Sequence, residues 1–384
     1  MAFEFATAGR ILFGAGQIKQ VPTLAAASGK RALLVRGSSR RVAADLVPAL
    51  EAQGLSVAEW AVTREPDTDM IAQGMATMQA TDADVVIGVG GGSVLDTAKA
   101  LAVLATNDAD HWLDYLEIVG NGAVLQRPGW PCIAVPTTAG TGSEVTRNAV
   151  IGVPEHRVKV SLRHAFLLPR YAVIDPDLAR GLPPTVTAYT GLDALVQCLE
   201  VFVSPHGNPL TTALCREGLA QARQLEKAWR GEAPVARSAM ALAALCGGLG
   251  LANAKLGAVH GLAGPLGGWY GADHGALCAA LVAPVWRMNT SRLQQSGTNA
   301  SALDRYAEAA RILVDSPDAT IEDGARWIES LCTTLQIPPL STLGVDREDL
   351  SACVAKAEKS SSMKGNPVQL TEAELMTILE ESGV

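Results

Sequence analysis

The sequence predicts an α/β domain with a parallel sheet over residues 1–180 and an all-α domain over residues 181–384. Between residues 31 and 180, short segments rich in Val, Ile and Leu alternate with amphipathic helical segments, a pattern typical of a mostly parallel sheet flanked by helices. After Pro184 the strand pattern disappears, and Asp175-Pro176 and Pro183-Pro184 mark the change, because proline disfavours helix in the residue before it. A chain of 384 residues is long enough for two domains.

The individual elements of the first domain follow from hydrophobic periodicity and from turn residues. Strands are predicted at residues 31–35, 56–60, 84–89, 132–136 and 171–174, and helices at residues 41–53, 67–79 and 94–105. The helix at 67–79 begins with Asp67, a favourable N-cap residue. After Asp84, the segment 84–89 is continuously apolar, which predicts a strand buried on both faces.

The second domain is predicted to be helical throughout. Helices are expected at residues 185–203, 209–230, 234–254, 303–313, 321–335 and 371–381. The uncharged stretch 239–254 contains three glycines and Asn253, so we interpret it as a buried core helix and not as a membrane span.

Composition and charge disfavour several classes of function. The net charge of −8 argues against a partner that is nucleic acid or an anionic membrane surface. The N-terminus lacks a basic segment followed by an apolar one, so no signal peptide is expected. The seven cysteines form no CxxC pair and mostly lie in apolar runs. They predict buried, reduced thiols in a cytoplasmic protein.

Two glycine-rich loops indicate that the first domain binds a nucleotide. The loop Gly88-Val89-Gly90-Gly91-Gly92-Ser93 joins a buried strand to a helix, where a close backbone approach and a helix N-terminus favour a phosphate. By itself it could equally be a tight turn, because Ser93 stands where GxGxxG has its last glycine. A second loop, Pro136 to Glu144, is rich in Thr, Ser and Gly and follows another buried strand, the edge of the sheet where α/β proteins place ligands. Together the loops predict a Rossmann-like dinucleotide-binding domain.

The end of the first strand favours NADP over NAD. Selectivity for NAD usually rests on an acidic residue there, which binds the ribose 2′-hydroxyl. The segment Arg36-Gly37-Ser38-Ser39-Arg40-Arg41 contains no acid and three cations. We therefore expect NADP to be slightly preferred, although Arg40 and Arg41 could simply be the solvated start of the next helix.

Four residues of the second domain suggest a divalent-metal site. Asp193 and Gln197 are four apart, so both side chains point to one side of a helix. His260 and His274 are separated by a Gly- and Pro-rich segment, residues 264–268, which we expect to break the helix and to return the second imidazole to the same point. A carboxylate with two imidazoles suits Fe²⁺ or Zn²⁺. Any one of these residues alone is more often structural.

These motifs, in this order, resemble those of the iron-containing (group III) alcohol dehydrogenases over nearly the whole chain. Phe13-Gly14-Ala15-Gly16 is similar to the opening signature of that family, and Gly191-Leu192-Asp193-Ala194-Leu195 to its first metal-ligand motif. The resemblance implies a dehydroquinate synthase-like architecture, an NAD(P)-dependent alcohol or aldehyde oxidoreductase, a metal site between two domains, a small-molecule substrate and a homodimer or higher homo-oligomer.

The resemblance also assigns residues to the two sites. It implies Asp193, His260 and His274 as catalytic and metal-binding residues, with Gln197 as a further candidate ligand. Cofactor contacts are implied or suggested for Gly37, Ser38, Gly91, Gly92, Ser93, Asp96, Thr137, Thr138, Thr141, Ser143 and Lys159.

Two departures from the family pattern are evident. Gln197 stands where the family has a histidine ligand, and Gly264 stands where it usually has a further histidine near the nicotinamide and the substrate. A glutamine carbonyl is a weaker and harder ligand than imidazole, so bound zinc, bound iron and a metal-free reductase all stay open. The small residues around His260, such as Gly257 and Gly261, suggest a widened cleft.

Three other functions compete with an alcohol dehydrogenase. A maleylacetate-type reductase of an anionic enone or oxo-acid needs cations at the substrate, for which Arg147, Arg157 and Arg163 are candidates. A lyase of the dehydroquinate synthase type needs many polar residues, whereas residues 251–270 are rich in Gly, Ala and Leu. A non-catalytic NADP-binding module would bind cofactor without turnover.

Overall fold

The structure is a computed structural model that describes residues 2–107, 111–231 and 234–384. The chain forms two compact units. The sheet unit comprises Ala6–Thr138 and Gly142–Arg180, and the helical unit comprises Gly181–Val384 together with Ala139–Thr141 and the N-terminal residues up to Phe5.

The sheet unit contains eight strands among its described residues. These are β1 (Arg10–Phe13), β2 (Arg31–Arg36), β3 (Ser56–Ala61), β4 (Val85–Gly90), β5 (Cys132–Pro136), β6 (Asn148–Val153), β7 (Val158–Arg163) and β8 (Tyr171–Ile174). Six of them form a sheet in the order β1-β8-β5-β4-β2-β3, in which every neighbouring pair is parallel. The predicted parallel sheet is confirmed, and each of its five predicted strands agrees to within one residue at either end.

Among the strands of the sheet unit, β1 and the pair β6–β7 were not predicted. β1 has only four residues, too few for a period-2 pattern to stand out. β6 and β7 form a separate antiparallel pair in register from Asn148↔Arg163 to Val153↔Val158. This pair follows the second glycine-rich loop directly.

Four helices belong to the sheet unit and ten to the helical unit, counting only described residues. The first four are α1 (Val21–Ala26), α2 (Ala43–Ala52), α3 (Thr68–Thr81) and α4 (Gly92–Leu104). The other ten are α5 (Pro184–Val203), α6 (Pro209–Ala222), α7 (Leu225–Trp229), α8 (Pro234–Asn253), α9 (Ala258–Tyr270), α10 (His274–Ser296), α11 (Ala300–Val314), α12 (Ile321–Thr334), α13 (Leu350–Glu358) and α14 (Glu372–Glu381).

The helical second half is confirmed, with corrections to individual elements. The single helix expected over residues 209–230 is two helices, α6 and α7. No helix boundaries were predicted for α9, α10 or α13, because their apolar residues are too continuous or too few for a clear 3.6-residue period. Asp67 does cap α3, since its carboxylate accepts the Met70 N–H at 2.8 Å.

Burial explains the most apolar helices. α5 and α8 are long and apolar enough to cross a membrane by length and composition alone. However, 83% of the most apolar 18-residue stretch of α5 and 67% of that of α8 lie buried within the protein. Both helices contribute to one large apolar core of the helical unit. The sheet of the other unit packs apolar residues on both faces, in separate clusters.

Candidate functional site

Three helices of the helical unit bring four potential ligands together. Asp193 comes from α5, His260 from the first turn of α9, and His274 and Cys278 from the first two turns of α10. One ligand atom from each of these residues lies within 4.8 Å of the others. Nε2 of His260 is 3.2 Å and Nε2 of His274 is 3.9 Å from Asp193 Oδ1. The structure therefore groups three of the four residues predicted as metal ligands, Asp193, His260 and His274, and adds a thiol.

The helix break that returns His274 lies later than the sequence suggested. α9 continues through Pro265 to Tyr270, so residues 264–268 do not break it. The chain turns at Gly271, whose φ of +67° is left-handed, and Asp273 caps α10 by accepting the Gly275 and Ala276 N–H groups. His274 is thus the first residue of a new helix.

The two oxygens of Asp193 have different neighbours. Oδ1 faces the histidines, whereas Oδ2 accepts a hydrogen bond of 3.2 Å from Nε2 of Gln197. The Gln197 carbonyl oxygen is buried and has no hydrogen-bond partner among the described residues. The glutamine amide thus contacts the carboxylate oxygen that does not face the histidines. Whether Gln197 is a metal ligand stays a prediction.

Glu200 supports His260 from behind and was missed by the sequence analysis. Its Oε2 lies 2.7 Å from Nδ1 of His260, and its Oε1 accepts the Val259 N–H at 2.6 Å. A carboxylate on one imidazole nitrogen fixes the tautomer and leaves the other nitrogen free to bind a metal. The signal was present in the sequence, because Asp193, Gln197 and Glu200 follow the i, i+4, i+7 spacing of one helix face.

Cys278 was also missed as a site residue. All seven cysteines are free thiols, and six are buried, as predicted. Cys278 differs because its Sγ lies 3.7 Å from Nε2 of His274. The spacing of four between His274 and Cys278, which places both on one side of α10, was the available signal.

The electrostatics of this group are those of strongly interacting acids and bases. Burial disfavours the charged form of His260, but Cys278, Glu200 and Asp193 raise the pKa of His260 well above its usual range. The negative charge of Cys278 raises the pKa of His274 to about 9. Burial acts to raise the pKa of Cys278, yet the two histidines outweigh it and lower that pKa. A divalent cation would replace the shared protons, because metal ligands must be deprotonated.

The donor set fits a divalent metal ion. In a tetrahedral site with bonds of about 2.0–2.3 Å, donor atoms lie roughly 3.3–3.8 Å apart. Three donor separations in the structure lie close to that range. Asp193 Oδ1 is 3.2 Å from Nε2 of His260 and 3.9 Å from Nε2 of His274, and Cys278 Sγ is 3.7 Å from Nε2 of His274. The Glu200–His260 contact, a carboxylate behind a candidate ligand imidazole, is also a feature of a built metal site.

In the sheet unit, the first glycine-rich loop is built by close packing. A Cβ added at Gly90 would lie 2.5 Å from the Val94 side chain, and one at Gly88 would lie 2.8 Å from Ala98 Cβ. The glycines therefore let α4 start directly above β4, with Gly91 as N-cap and Gly92 as its first residue. This start of a 13-residue helix presents the N–H groups and the dipole end that favour a phosphate.

The two glycine-rich loops lie side by side. Thr137 donates its N–H to Gly90 O at 2.9 Å, and a Cβ added at Gly91 would lie 3.4 Å from Thr138 Oγ1. Thr141, with Ala139 and Gly140, belongs to the helical unit. Cofactor binding by these residues and by Gly92 and Ser93 stays a prediction.

Buried Lys99 ties the second loop to α4. Its ammonium donates to Ser143 O at 2.9 Å, to Thr146 Oγ1 at 3.0 Å and to Asn148 O, and lies 3.0 Å from Asp96 Oδ1. Asp96 also accepts the Ser143 hydroxyl and the Val150 N–H. Asp96 and Ser143, both predicted to contact the cofactor, thus take part in a network that holds the loop.

The cations predicted to read the ribose are engaged by an acid from a neighbouring strand. Arg36 Nε lies 2.7 Å from Glu59 Oε2 on β3, and Arg40 pairs with the same carboxylate. Arg41 donates to Leu178 O at 2.6 Å. The loop itself, including Gly37 and Ser38, contains no acid, as the sequence shows.

Lys159, assigned to the nicotinamide ribose by the resemblance, lies on β7 and pairs with Glu65. Its predicted role in cofactor binding is not tested by this contact.

The small residues around His260 do not all widen the site. A Cβ at Gly257 would lie 2.9 Å from Glu200 Oε1, and one at Gly261 would lie 2.8 Å from the Met363 side chain. These two glycines permit close packing. Gly264 differs from Gly257 and Gly261, because a Cβ added there would meet no atom within 4 Å and the space beside it is open.

Comparison with known proteins adds independent findings. The family model described as "Iron-containing alcohol dehydrogenase" matches residues 8–176, and "Fe-containing alcohol dehydrogenase family, C-terminal" matches residues 187–383. The 4-hydroxybutyrate dehydrogenase of Cupriavidus necator is 34% identical over 363 residues, which cover 92% of each chain.

Solved structures agree with the family models. A 1,3-propanediol oxidoreductase superposes with a TM-score of 0.91 at 31% identity and covers 100% of both chains. The sulfoacetaldehyde reductase of Bifidobacterium kashiwanohense, solved with NAD⁺, gives a TM-score of 0.86 at 25% identity and covers 99% of this chain and 98% of its own. The family uses NAD(P) and iron or another divalent metal, and its members are alcohol oxidoreductases. The chain therefore belongs to the iron-containing alcohol dehydrogenase family and is an NAD(P)-dependent oxidoreductase that interconverts alcohols with aldehydes or ketones.

Proposed function

We propose that the chain reduces small aldehydes or ketones, and oxidises the corresponding alcohols, with NADP and a divalent ion held by Asp193, His260 and His274. The observation that supports this most strongly is the convergence of these three side chains, with Glu200 fixing the His260 tautomer. When bound there, the ion polarises the substrate carbonyl and stabilises the negative charge that develops on its oxygen during hydride transfer.

The protein residues position and insulate the reacting groups. Asp193 and His260 are almost fully buried, at 2% and 7% exposure, so their orientation is set by packing before substrate arrives. His274 is the partly exposed member, with 35% of its side chain accessible, and this exposure supports a position on the substrate side of the group. Gly264 stands where the family usually has a histidine near the substrate, and water reaching this open position is the proposed proton source.

NADP preference is supported by the local charges after β2. No carboxylate occurs in residues 36–41, and Arg40 remains 61% exposed although it pairs with Glu59. A ribose 2′-phosphate could share Arg40, since guanidinium binds phosphate bidentately.

This preference is testable with one substitution. Ser38→Asp introduces the carboxylate that repels a 2′-phosphate, and we expect the ratio of kcat/KM for NADPH over NADH to fall by roughly 10-fold or more. Thr63→Asp, at an exposed position outside the loop, is the charge control. An unchanged ratio in Ser38→Asp would contradict the proposed preference.

A neutral substrate is favoured over an anionic one. Of the three arginines that a maleylacetate-type reductase could use, Arg163 is paired with Glu117 at 2.8 Å, and Arg157 lies in the exposed turn between β6 and β7. The similar 1,3-propanediol oxidoreductase supports a small diol or aldehyde, whereas the 4-hydroxybutyrate dehydrogenase makes oxo-acids the proper comparison substrates.

Assembly and location are part of the same proposal. We propose that the protein forms a homo-oligomer. Exposed large apolar side chains such as Ile118 and Val124, at 83% and 59% exposure, support this proposal. Light scattering of the purified protein tests it. A cytoplasmic location is supported by the seven free cysteines.

The experiment that tests the function is NADPH consumption with a panel of aldehydes, ketones and oxo-acids. Protein stripped by a chelator is assayed before and after addition of Zn²⁺ or Fe²⁺. The proposal expects turnover of neutral aldehydes that one metal restores. Turnover that is indifferent to metal would overturn the metal-dependent mechanism and support a metal-free reductase.

A further inference from the structure

We propose that the Cys278 thiolate is the fourth protein ligand of the metal site and that Gln197 positions Asp193 from outside the ligand set. The resulting Asp-His-His-Cys set selects Zn²⁺ over Fe²⁺. The inference rests on the proposed function, because it concerns the same metal group.

The position of Cys278 supports this assignment. Its Sγ belongs to the group of four donor atoms that lie within 4.8 Å of one another, and is 3.7 Å from Nε2 of His274. The residue is fully buried on the second turn of α10. Because His274 and Cys278 are four apart on one helix, both donors face the same point.

The side-chain amide of Gln197 is hydrogen-bonded to the second carboxylate oxygen of Asp193, Oδ2. Asp193 Oδ1 faces the two histidines, and Oδ2 takes the amide N–H of Gln197 at 3.2 Å. An ion shared by Oδ1 and the histidine nitrogens therefore lies on the Oδ1 side. Gln197 Oε1 lies against α8, where a Cβ added at Gly247 would be 3.4 Å from it.

The chemistry of the donors then decides the metal. Thiolate is a soft ligand that favours zinc, whereas a glutamine carbonyl favours harder ions. On binding, the Cys278 thiol loses its proton to solvent as the metal–sulfur bond forms, and no electron is transferred. Four protein ligands still permit substrate to bind, because catalytic zinc can expand to five-coordinate.

Spectroscopy of the metal-loaded protein tests the ligand directly. Metal-stripped protein is titrated with Co²⁺, whose thiolate complexes show an intense charge-transfer band in the near ultraviolet. We expect the band in the wild type and in Cys353→Ser, a control that removes another buried thiol, and we expect none in Cys278→Ser. X-ray absorption of the Zn²⁺ form should show one sulfur at about 2.3 Å.

Affinity measurements separate Cys278 from Gln197. Competition with a chromogenic chelator should show that Cys278→Ser weakens Zn²⁺ binding by more than about 100-fold, with a smaller loss of Fe²⁺ affinity. Gln197→Ala should keep the Co²⁺ band and should weaken Zn²⁺ binding less than Cys278→Ser does, because Gln197 only positions Asp193. X-ray absorption of the wild-type Zn²⁺ form needs no variant and gives the same answer if Cys278→Ser fails to fold.

Each failure has a distinct meaning. One equivalent of bound Co²⁺ without the band, or a band that survives in Cys278→Ser, overturns the inference and leaves the proposed function intact. A wild-type protein that binds neither Zn²⁺ nor Co²⁺ overturns both the inference and the metal-dependent mechanism. The NADPH assay then shows whether reductase activity remains.

Discussion

Glu200 and His260 form a buried carboxylate–imidazole pair, with 2.7 Å between Oε2 and Nδ1. The pair directs the other imidazole nitrogen, Nε2, to Asp193 Oδ1. Glu200 thus links the backbone at the start of α9, through its contact with the Val259 N–H, to the orientation of a predicted metal ligand, His260. The two residues are 60 positions apart and come from different helices.

Loss of this carboxylate should weaken metal binding without removing a ligand. Glu200→Gln keeps the shape of the side chain but weakens its hold on the imidazole, so we expect Zn²⁺ affinity to fall by about 10- to 100-fold. A chelator competition titration measures it, with Glu381→Gln, at an exposed position, as control. Unchanged affinity in Glu200→Gln would show that the histidine is oriented by packing alone.

Gly264 should accept a histidine. A Cβ at this position meets no atom within 4 Å, and helix α9 is formed on both sides of it. If the absent side chain limits proton transfer, Gly264→His should raise kcat by on the order of 10²-fold at unchanged metal content. Gly264→Ala controls for the gain in helix propensity, and a histidine variant no faster than the alanine variant would refute a missing relay.

Lys99 should be essential for the stability of the sheet unit. It is fully buried and joins Asp96 on α4 to the second glycine-rich loop at Ser143 and Thr146. Lys99→Met leaves the Asp96 carboxylate without its cation, and we expect the free energy of unfolding to fall by about 3–5 kcal/mol. Urea denaturation measures it, with exposed Lys19→Met as control. A loss below about 1 kcal/mol would mean that the network contributes little.

Glu144 should make stability decline as pH rises toward neutrality. Burial raises the pKa of this carboxyl from 4.5 to about 7, against the opposing effects of its backbone hydrogen bond and of Lys99. Between these pH values the folded protein keeps a proton that the unfolded chain has lost. The contribution of Glu144 to the free energy of unfolding is therefore most favourable below pH 4.5 and falls as the pH rises to about 7. Above that pH, the free energy of unfolding is lower by up to about 3 kcal/mol.

The variant Glu144→Gln removes that dependence. Relative to the wild type, it should gain stability progressively as pH rises from 4.5 to 7. Unfolding midpoints across this range measure the gain, and Glu155→Gln, at an exposed site in the same unit, should show no such trend. Parallel pH curves for wild type and Glu144→Gln would contradict the assignment.

Much of the fold follows from the sequence because its signals are local. The buried strand β4 is a continuous apolar run, and it has a glycine at position 88, where an added Cβ would lie 2.8 Å from Ala98 Cβ on α4. Asp67 is an N-cap both in the sequence pattern and in its hydrogen bond to Met70. These features depend on neighbours a few residues away, so periodicity and turn chemistry detect them.

The sequence by itself determined the α/β and all-α halves, the two glycine-rich loops and the candidate ligands Asp193, His260 and His274. Only the tertiary structure decided what surrounds them: Glu200 behind His260, Cys278 beside His274, and Glu59 between Arg36 and Arg40. Contacts between distant elements depend on helix packing and strand order. In a single sequence, a glutamate or cysteine with such a role looks the same as one that merely fills the core or the surface.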